Sequence, residues 1–217
     1  MTVLLWISGF LGAVIIGFLV FWRFYFLRDP HRNIPEGNVI VSPADGIILD
    51  IIDTKDKELI IPKRYMGKIK TLCSDISSSC KVISIFMSPL DVHINRMPVR
   101  GKVLSVIHKK GSFKPVNSVE AGLQNEKVEL TLQASFGKIK VIQVAGIIAR
   151  RIVCHAKKGD TYNTGERYGL INLGSQLIVI LPGKIPLTVE KGQRVRAGES
   201  VLGKFKEKDT KSGKKGK

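Results

Sequence analysis

Hydrophobic and polar positions fall into two regimes along this chain. From Thr2 to Trp22 the sequence TVLLWISGFLGAVIIGFLVFW carries no charge, which is about the 20 apolar residues a helix needs to cross a bilayer. Beyond Trp22 no long stretch shows a helical period. Short runs rich in Val and Ile recur instead, bounded by Gly, Pro, Asp or Asn: NVIVS, GIILDIID, ELIIP, KVISIFM, KVLSVIH, KVELTLQA, KIKVIQVAGIIA, QLIVILP and SVLGKF. The pattern predicts one apolar helix followed by a mainly β domain, a sandwich or a barrel. With 217 residues and 44% hydrophobic content the chain can bury one sizeable core.

The flanks of the apolar run say what kind of helix it is. A cleaved signal peptide wants a basic residue before the run and a small-residue cleavage site after it, and the sequence has neither. The run ends in Trp22, Phe24, Tyr25 and Phe26, with Arg23, Arg28 and Arg32 beside them, which suits a membrane interface with the bulk of the chain on the cytoplasmic face of the cell membrane. The expected organisation is an anchor at 1–26, a soluble domain at 27–203 entered through RDPHRNIPEGN, and a disordered basic tail, KFKEKDTKSGKKGK, at 204–217.

Charge narrows the partners. A net charge of +17 suits nucleic acid or an anionic lipid surface, but no basic-aromatic motif accompanies it and aromatics make up only 7%. A chain anchored beside anionic phospholipid gains on the order of 1 kcal/mol per nearby Lys or Arg, so the membrane is the expected partner and no specific nucleic acid is. Three cysteines without a C-x-x-C pair indicate neither a disulfide framework nor a metal site.

Two internal segments echo each other: KKGDTYNTGERYGL (Lys157 to Leu170) and EKGQRVRAGESVLG (Glu190 to Gly203) share a Lys-Gly and, further on, a Gly-Glu. Each lays out a Gly turn, a short strand, a second turn and a hydrophobic strand, as in lipoyl- and biotinyl-carrier-like hairpins. The fold expected is therefore mainly β, a lipoyl/biotinyl-carrier-like barrel-sandwich with an N-terminal transmembrane helix. A carrier would present a modified Lys at a Met-Lys-Met or Asp-Lys-Ala hairpin tip, and the sequence contains neither. A non-enzymatic membrane-tethered scaffold stays open as an alternative.

Reactive residue types concentrate in three places. In VSPADGII, Asp45 sits between turn residues, and an aspartate bonding its own turn backbone is the plain reading. In FMSPLDVHINRMPVRGKV, strand alternation would put Asp91, His93 and Asn95 on one face. In YGLINLGSQLIVILP, a run that otherwise reads as buried strand, Gly174 and Ser175 interrupt the apolar pattern. The Ser175 hydroxyl is a nucleophile adjacent to a carbonyl that no Cβ obstructs. A second Gly-Ser pair, Gly111-Ser112, means that the dipeptide alone decides nothing.

Taken in order, FYFLRDPHRNIP, VSPADG, SPLDVHINRMPVRGKV, QNEKVEL and VIQVAGIIARRIVCHAKKGDTYNTGERYGLINLGSQLIVILP resemble the phosphatidylserine decarboxylases, in the short form found in many prokaryotes. The resemblance implies a pyruvoyl enzyme made by self-cleavage. An N-to-O acyl shift at Gly174-Ser175 followed by β-elimination would give chains 1–174 and 175–217, which stay associated as a heterodimer. The serine remnant becomes the covalent pyruvoyl group, which would form a Schiff base with the substrate amine and draw off electrons as carbon dioxide leaves. This is the electron-sink role pyridoxal phosphate plays elsewhere, so neither PLP nor a metal is called for. The implied reaction takes phosphatidylserine to phosphatidylethanolamine; archaetidylserine decarboxylation is the alternative with the same chemistry.

The resemblance also implies roles. Asp45 matches the aspartate that orients a histidine in a Ser-His-Asp relay, and Ser175 matches the nucleophile. Longer relatives carry two histidines three residues apart before Met-Pro; here the first is His93 and Arg96 stands at the second. His93 is then expected to act as the base for maturation, as the proton donor after decarboxylation, or as both. Arg96 cannot serve as a base but suits a phosphate or carboxylate, as does one of the adjacent pair Arg150 and Arg151. His155, Asn125 and Glu126 lie in matching stretches, where structural roles serve equally well.

Overall fold

The computed structural model describes residues 2–62, 68–110, 126–146, 152–172 and 175–206. The N-terminal helix α1, Thr2–Val20, continues into a π-helical turn, Phe21–Phe26. The stretch Leu5–Phe26 contains an 18-residue window of mean hydropathy 2.2, and it is long and apolar enough to cross a membrane. Its large side chains are exposed all round, Trp6, Phe10, Ile16 and Leu19 among them, which water would penalise and lipid would not. The π turn places residues four apart over one another, stacking Phe21 on Tyr25 at 5.3 Å and Trp22 on Phe26 at 4.5 Å. The helix stops at Leu27, just ahead of Asp29-Pro30, a pair that disfavours further helix.

The rest is β structure. Eight antiparallel strands form one open sheet, in the order β11 (Thr161–Tyr162), β7 (Gly101–Lys109), β8 (Lys127–Ala134), β9 (Gly137–Val144), β13 (Ser175–Pro182), β5 (Cys80–Met87), β2 (Gly46–Thr54) and β14 (Arg194–Val195). A three-stranded sheet has β12 (Arg167–Ile171) between β10 (Ile152–Cys154) and β6 (Ile94–Arg96), while β1 (Val39–Val41) pairs with β15 (Val201–Lys204) and β3 (Glu58–Pro62) with β4 (Lys68–Leu72). The mainly β expectation with one apolar N-terminal helix is met.

Strand β13 explains why its sequence is apolar without alternation. Leu177, Val179 and Leu181 point into the main core with Tyr168, Met87 and Phe136. Ile178 and Ile180 point to a second apolar cluster with Ile61 and Ile69 of the β3–β4 hairpin. A strand covered on both faces has no solvent side to mark with polar residues. The run around Gly174-Ser175 is also not one strand: β12 ends at Ile171 in the small sheet and β13 begins at Ser175 in the large one. The dipeptide falls at the passage between two sheets, and Gly174 itself lies outside the described residues.

The sequence echo is a structural repeat. Val195 of β14 pairs with Gly46 as Tyr162 of β11 pairs with Gly101. Gly192 donates to the Ile48 carbonyl at 2.8 Å as Gly159 donates to that of Val103 at 2.9 Å; Gly198 donates to the Ser42 carbonyl as Gly165 does to that of Met97, both at 2.8 Å. Even the irregularities correspond, with register shifts between Ile48 and Asp50 and between Val103 and Ser105. The two halves occupy opposite edges of the large sheet, and Gly165 and Gly198 turn back with φ of +77° and +78°, a conformation open to glycine. Packing extends past Gly203, the expected end of the domain. Lys204 ends β15, and Phe205 lies on Phe136 at 4.5 Å between centroids, while 207–217 lies outside the described residues.

Candidate active site

Strand β5 ends at Met87 and the chain turns through Ser88 to Val92 into His93 and β6. Asp91 makes the turn: its carboxylate accepts the Ser88 N–H at 2.8 Å and pairs with Arg194 of β14. Asp91, His93, Asn95 and Arg96 are all buried, yet they do not share one face. The Asp91 carboxylate points to the sheet edge, whereas Asn95 accepts from Gln143 of β9 at 2.8 Å.

His93 is 1% exposed. Its Nδ1 lies 2.8 Å from the Asp91 carbonyl oxygen. A carbonyl only accepts, so Nδ1 carries the proton and Nε2 the lone pair. Nε2 is buried and meets no hydrogen-bond partner among the described residues, a cost tolerated only where something else compensates or the group has a task. Phe26 covers the ring at 4.1 Å between centroids. Desolvation pushes the imidazole pKa down to about 4, aided by Arg28 and opposed by the hydrogen bond and charge of Asp91 and by the charge of Asp45. His93 is thus neutral and held in one orientation at neutral pH.

Asp45 lies in the β1–β2 turn. Its carboxylate accepts from Arg32 Nη2 at 3.0 and 2.8 Å and from the Ala197 N–H at 2.7 Å. The direct Asp45–His93 hydrogen bond that a relay would use is not made; Asp45 reaches His93 through its field, and the Asp91 carbonyl orients the ring. Arg96 donates to the Gly165 carbonyl at 3.1 Å and pairs with Asp29 at 2.6 Å. With His31, Arg32, Ile34, Glu166 and Arg167 it lines an open cleft of about 450 Å³. Ser175 begins β13 opposite Met87.

Both residues are close in sequence to the other's neighbours: Ser175 pairs with Met87, six residues before His93, and the Ile171 N–H, four residues before Ser175, bonds the His93 carbonyl at 3.3 Å.

Other sequence candidates fall elsewhere. His155 is exposed, and Glu126 bonds His108 Nε2 at 2.7 Å; Asn125, Arg150 and Arg151 lie outside the described residues. Among the described residues no cluster of three or more His, Cys, Asp or Glu could hold a metal. Sequence reasoning missed Phe26, Asp29 and Arg32, having taken this stretch for interface and linker. The available signal was an aspartate inside a basic juxtamembrane run, fixed by the following Pro30.

An apolar helix whose end packs onto a buried histidine defines a class, a β domain whose polar centre lies at the foot of a membrane-type helix. Residues 20–203 match the phosphatidylserine decarboxylase family. The chain is 39% identical to the phosphatidylserine decarboxylase proenzyme of Geobacter metallireducens over 89% of its length and 82% of the relative's. It is 42% identical to that of Geotalea uraniireducens over 82% and 77%, and 40% identical to that of Ruegeria pomeroyi over 93% and 86%. The chain belongs to the phosphatidylserine decarboxylase family and is accordingly an enzyme of carboxy-lyase type.

Proposed function

We propose that this protein decarboxylates phosphatidylserine to phosphatidylethanolamine, using a pyruvoyl group that it makes from Ser175 by cutting its own chain after Gly174. The observation that carries the reading is the lone pair of His93 Nε2, buried and unpartnered in the neighbourhood where β13 begins at Ser175. In maturation Nε2 takes the proton of the Ser175 hydroxyl as the oxygen adds to the Gly174 carbonyl and the amide C–N bond breaks to leave an ester. Elimination then frees the Gly174 carboxylate and leaves a dehydroalanine, whose imine tautomer takes up water and releases ammonia to give the ketone. A base with a pKa near 4 holds that proton weakly and returns it readily.

The residues present fit such a group: Ser175 at the head of β13 supplies its atoms, and the buried Nε2 lone pair of His93 can carry the proton. When in place, the pyruvoyl group supplies the electron sink for loss of carbon dioxide. The chain's own residues bind, orient and protonate. Arg96, with Arg32 and Arg167 in the same cleft, suits the lipid phosphate, and His93 suits the return of a proton to the product carbon. Arg150 and Arg151 remain candidate substrate ligands. Asp45 acts as a fixed negative charge near His93.

The division into an anchor, a catalytic domain whose packing reaches Phe205 and a basic tail fits this scheme, as does a carrier-like barrel-sandwich layout, which the two-edge repeat supports. The fragments 1–174 and 175–217 stay together because β13 is hydrogen-bonded on one side to β9 and on the other to β5, so cutting before Ser175 frees no strand. The apolar helix and Arg23, Arg28 and Arg32 support membrane attachment with the domain on the cytoplasmic face. The relatives' names favour phosphatidylserine over archaetidylserine.

The test is the intact mass of the denatured protein. Two chains meeting at Gly174 and Ser175 are expected, the smaller lighter by one ammonia than a serine-headed fragment, with Ser175→Ala giving one chain of 217 residues and no activity. An uncleaved Ser175→Ala protein that still decarboxylates the lipid refutes the reading.

A further inference from the structure

We propose that Phe26 is a positioning residue of the active site: the last aromatic ring of the membrane helix seats on the His93 imidazole, fixes its plane and keeps water from Nε2. The anchor thereby completes the site as well as tethering it. This rests on the reading of His93 as the proton-transfer group.

Exposure separates Phe26 from its neighbours. Phe24 is 73% exposed and Tyr25 41%, as lipid-facing rings are, but Phe26 is fully buried. The ring belongs to a ladder running down the helix, Phe18 to Trp22 at 6.0 Å, Trp22 to Phe26 at 4.5 Å and Phe26 to His93 at 4.1 Å. The segment that follows is bonded to each candidate residue in turn. Arg28 donates to the Leu90 carbonyl at 2.6 Å in the turn preceding His93; Asp29 pairs with Arg96, and Arg32 with Asp45. A tether alone needs no such contacts, since a flexible linker would serve.

The charged groups around His93 are Asp91 beside it in the turn, Arg28 from the helix end and Asp45 from the β1–β2 turn, with Arg194 of β14 neutralising the Asp91 carboxylate. None of them accounts for the neutral imidazole as well as its burial does. Burial is the first cause of its pKa of about 4, and Phe26 supplies one wall of it. With water admitted the value returns toward the ordinary 6.5, and about nine-tenths of the rings would be protonated at pH 5.5.

The test uses the full-length Ser175→Ala proenzyme in detergent micelles, with ¹⁵N-labelled histidine and His93→Gln to assign the resonance among four histidines. Phe26→Ala is expected to move the His93 titration midpoint from about 4 to between roughly 5.5 and 6.5. Phe26→Tyr, which keeps a ring, should restore it, with Phe26→Leu between. In the self-cleaving chain Phe26→Ala should slow self-cleavage roughly two- to tenfold at pH 5.5 and little at pH 7.5.

An unmoved midpoint in Phe26→Ala, or in Phe26→Leu if the alanine protein fails to fold, overturns the proposal; so does an equal slowing of self-cleavage at both pH values. A moved midpoint in a protein whose His93→Gln form processes and decarboxylates at the parent rate refutes instead the role given to His93.

Discussion

Replacing Arg32 by Met removes the cation that holds Asp45 while keeping most of the apolar stem. The two side chains are 5% and 13% exposed, and one guanidinium nitrogen reaches both carboxylate oxygens, at 3.0 and 2.8 Å. Little water is present to screen the pair. After the substitution Asp45 keeps the Ala197 N–H at 2.7 Å but stands as an uncompensated charge, which costs about 3 kcal/mol, the lower end for breaking a buried pair. That is roughly a hundredfold in the folding equilibrium. Asp45→Asn removes the other charge and should cost about 2 kcal/mol, because the stranded Arg32 retains Glu199 at 3.5 Å.

With both charges gone, the double variant should cost less than the sum by about 2 kcal/mol. The assay is urea unfolding of the Ser175→Ala proenzyme in micelles, followed by circular dichroism, because both tryptophans, Trp6 and Trp22, lie in the anchor. Additivity within about 0.5 kcal/mol, or disappearance of the Arg32→Met effect in about 1 M salt, would refute the reasoning.

Tyr168 is fully buried and its hydroxyl has no hydrogen-bond partner among the described residues, so Tyr168→Phe should leave stability unchanged or raise it by about 1 kcal/mol; a loss of more than that, in the same unfolding assay, would mean the hydroxyl has a partner. The Cys73 thiol is pushed up to about 11, chiefly by burial and then by Cys80, so at pH 8 its thiolate fraction is about a hundredfold below that of an ordinary thiol. Maleimide labelling of the native protein should therefore be slow at Cys73 and become fast in urea, and rapid native labelling would contradict the packing described.

The helix, the β class and the decarboxylase family are legible in the order of residues alone. A bilayer-length apolar run needs no partner to be read, and a Gly-Ser pair with an aspartate and a histidine in matching motifs names a reaction before any contact is known. The sequence also carried the repeat, because the same turns demand the same glycines. What it could not carry was pairing between distant positions. YGLINLGSQLIVILP reads as one strand because both of its halves are apolar; only packing assigns Ile171 and Ser175 to different sheets. The alternation that would align Asp91, His93 and Asn95 assumes a straight strand, but the chain turns at Asp91, whose carbonyl rather than its carboxylate orients the imidazole. Phe26, Asp29 and Arg32 look like interface and linker until the tertiary path lays them on His93, Arg96 and Asp45. Local sequence sets which side chains are available and which way the backbone turns, whereas which of them lose water together is decided only when the sheets close over the helix end.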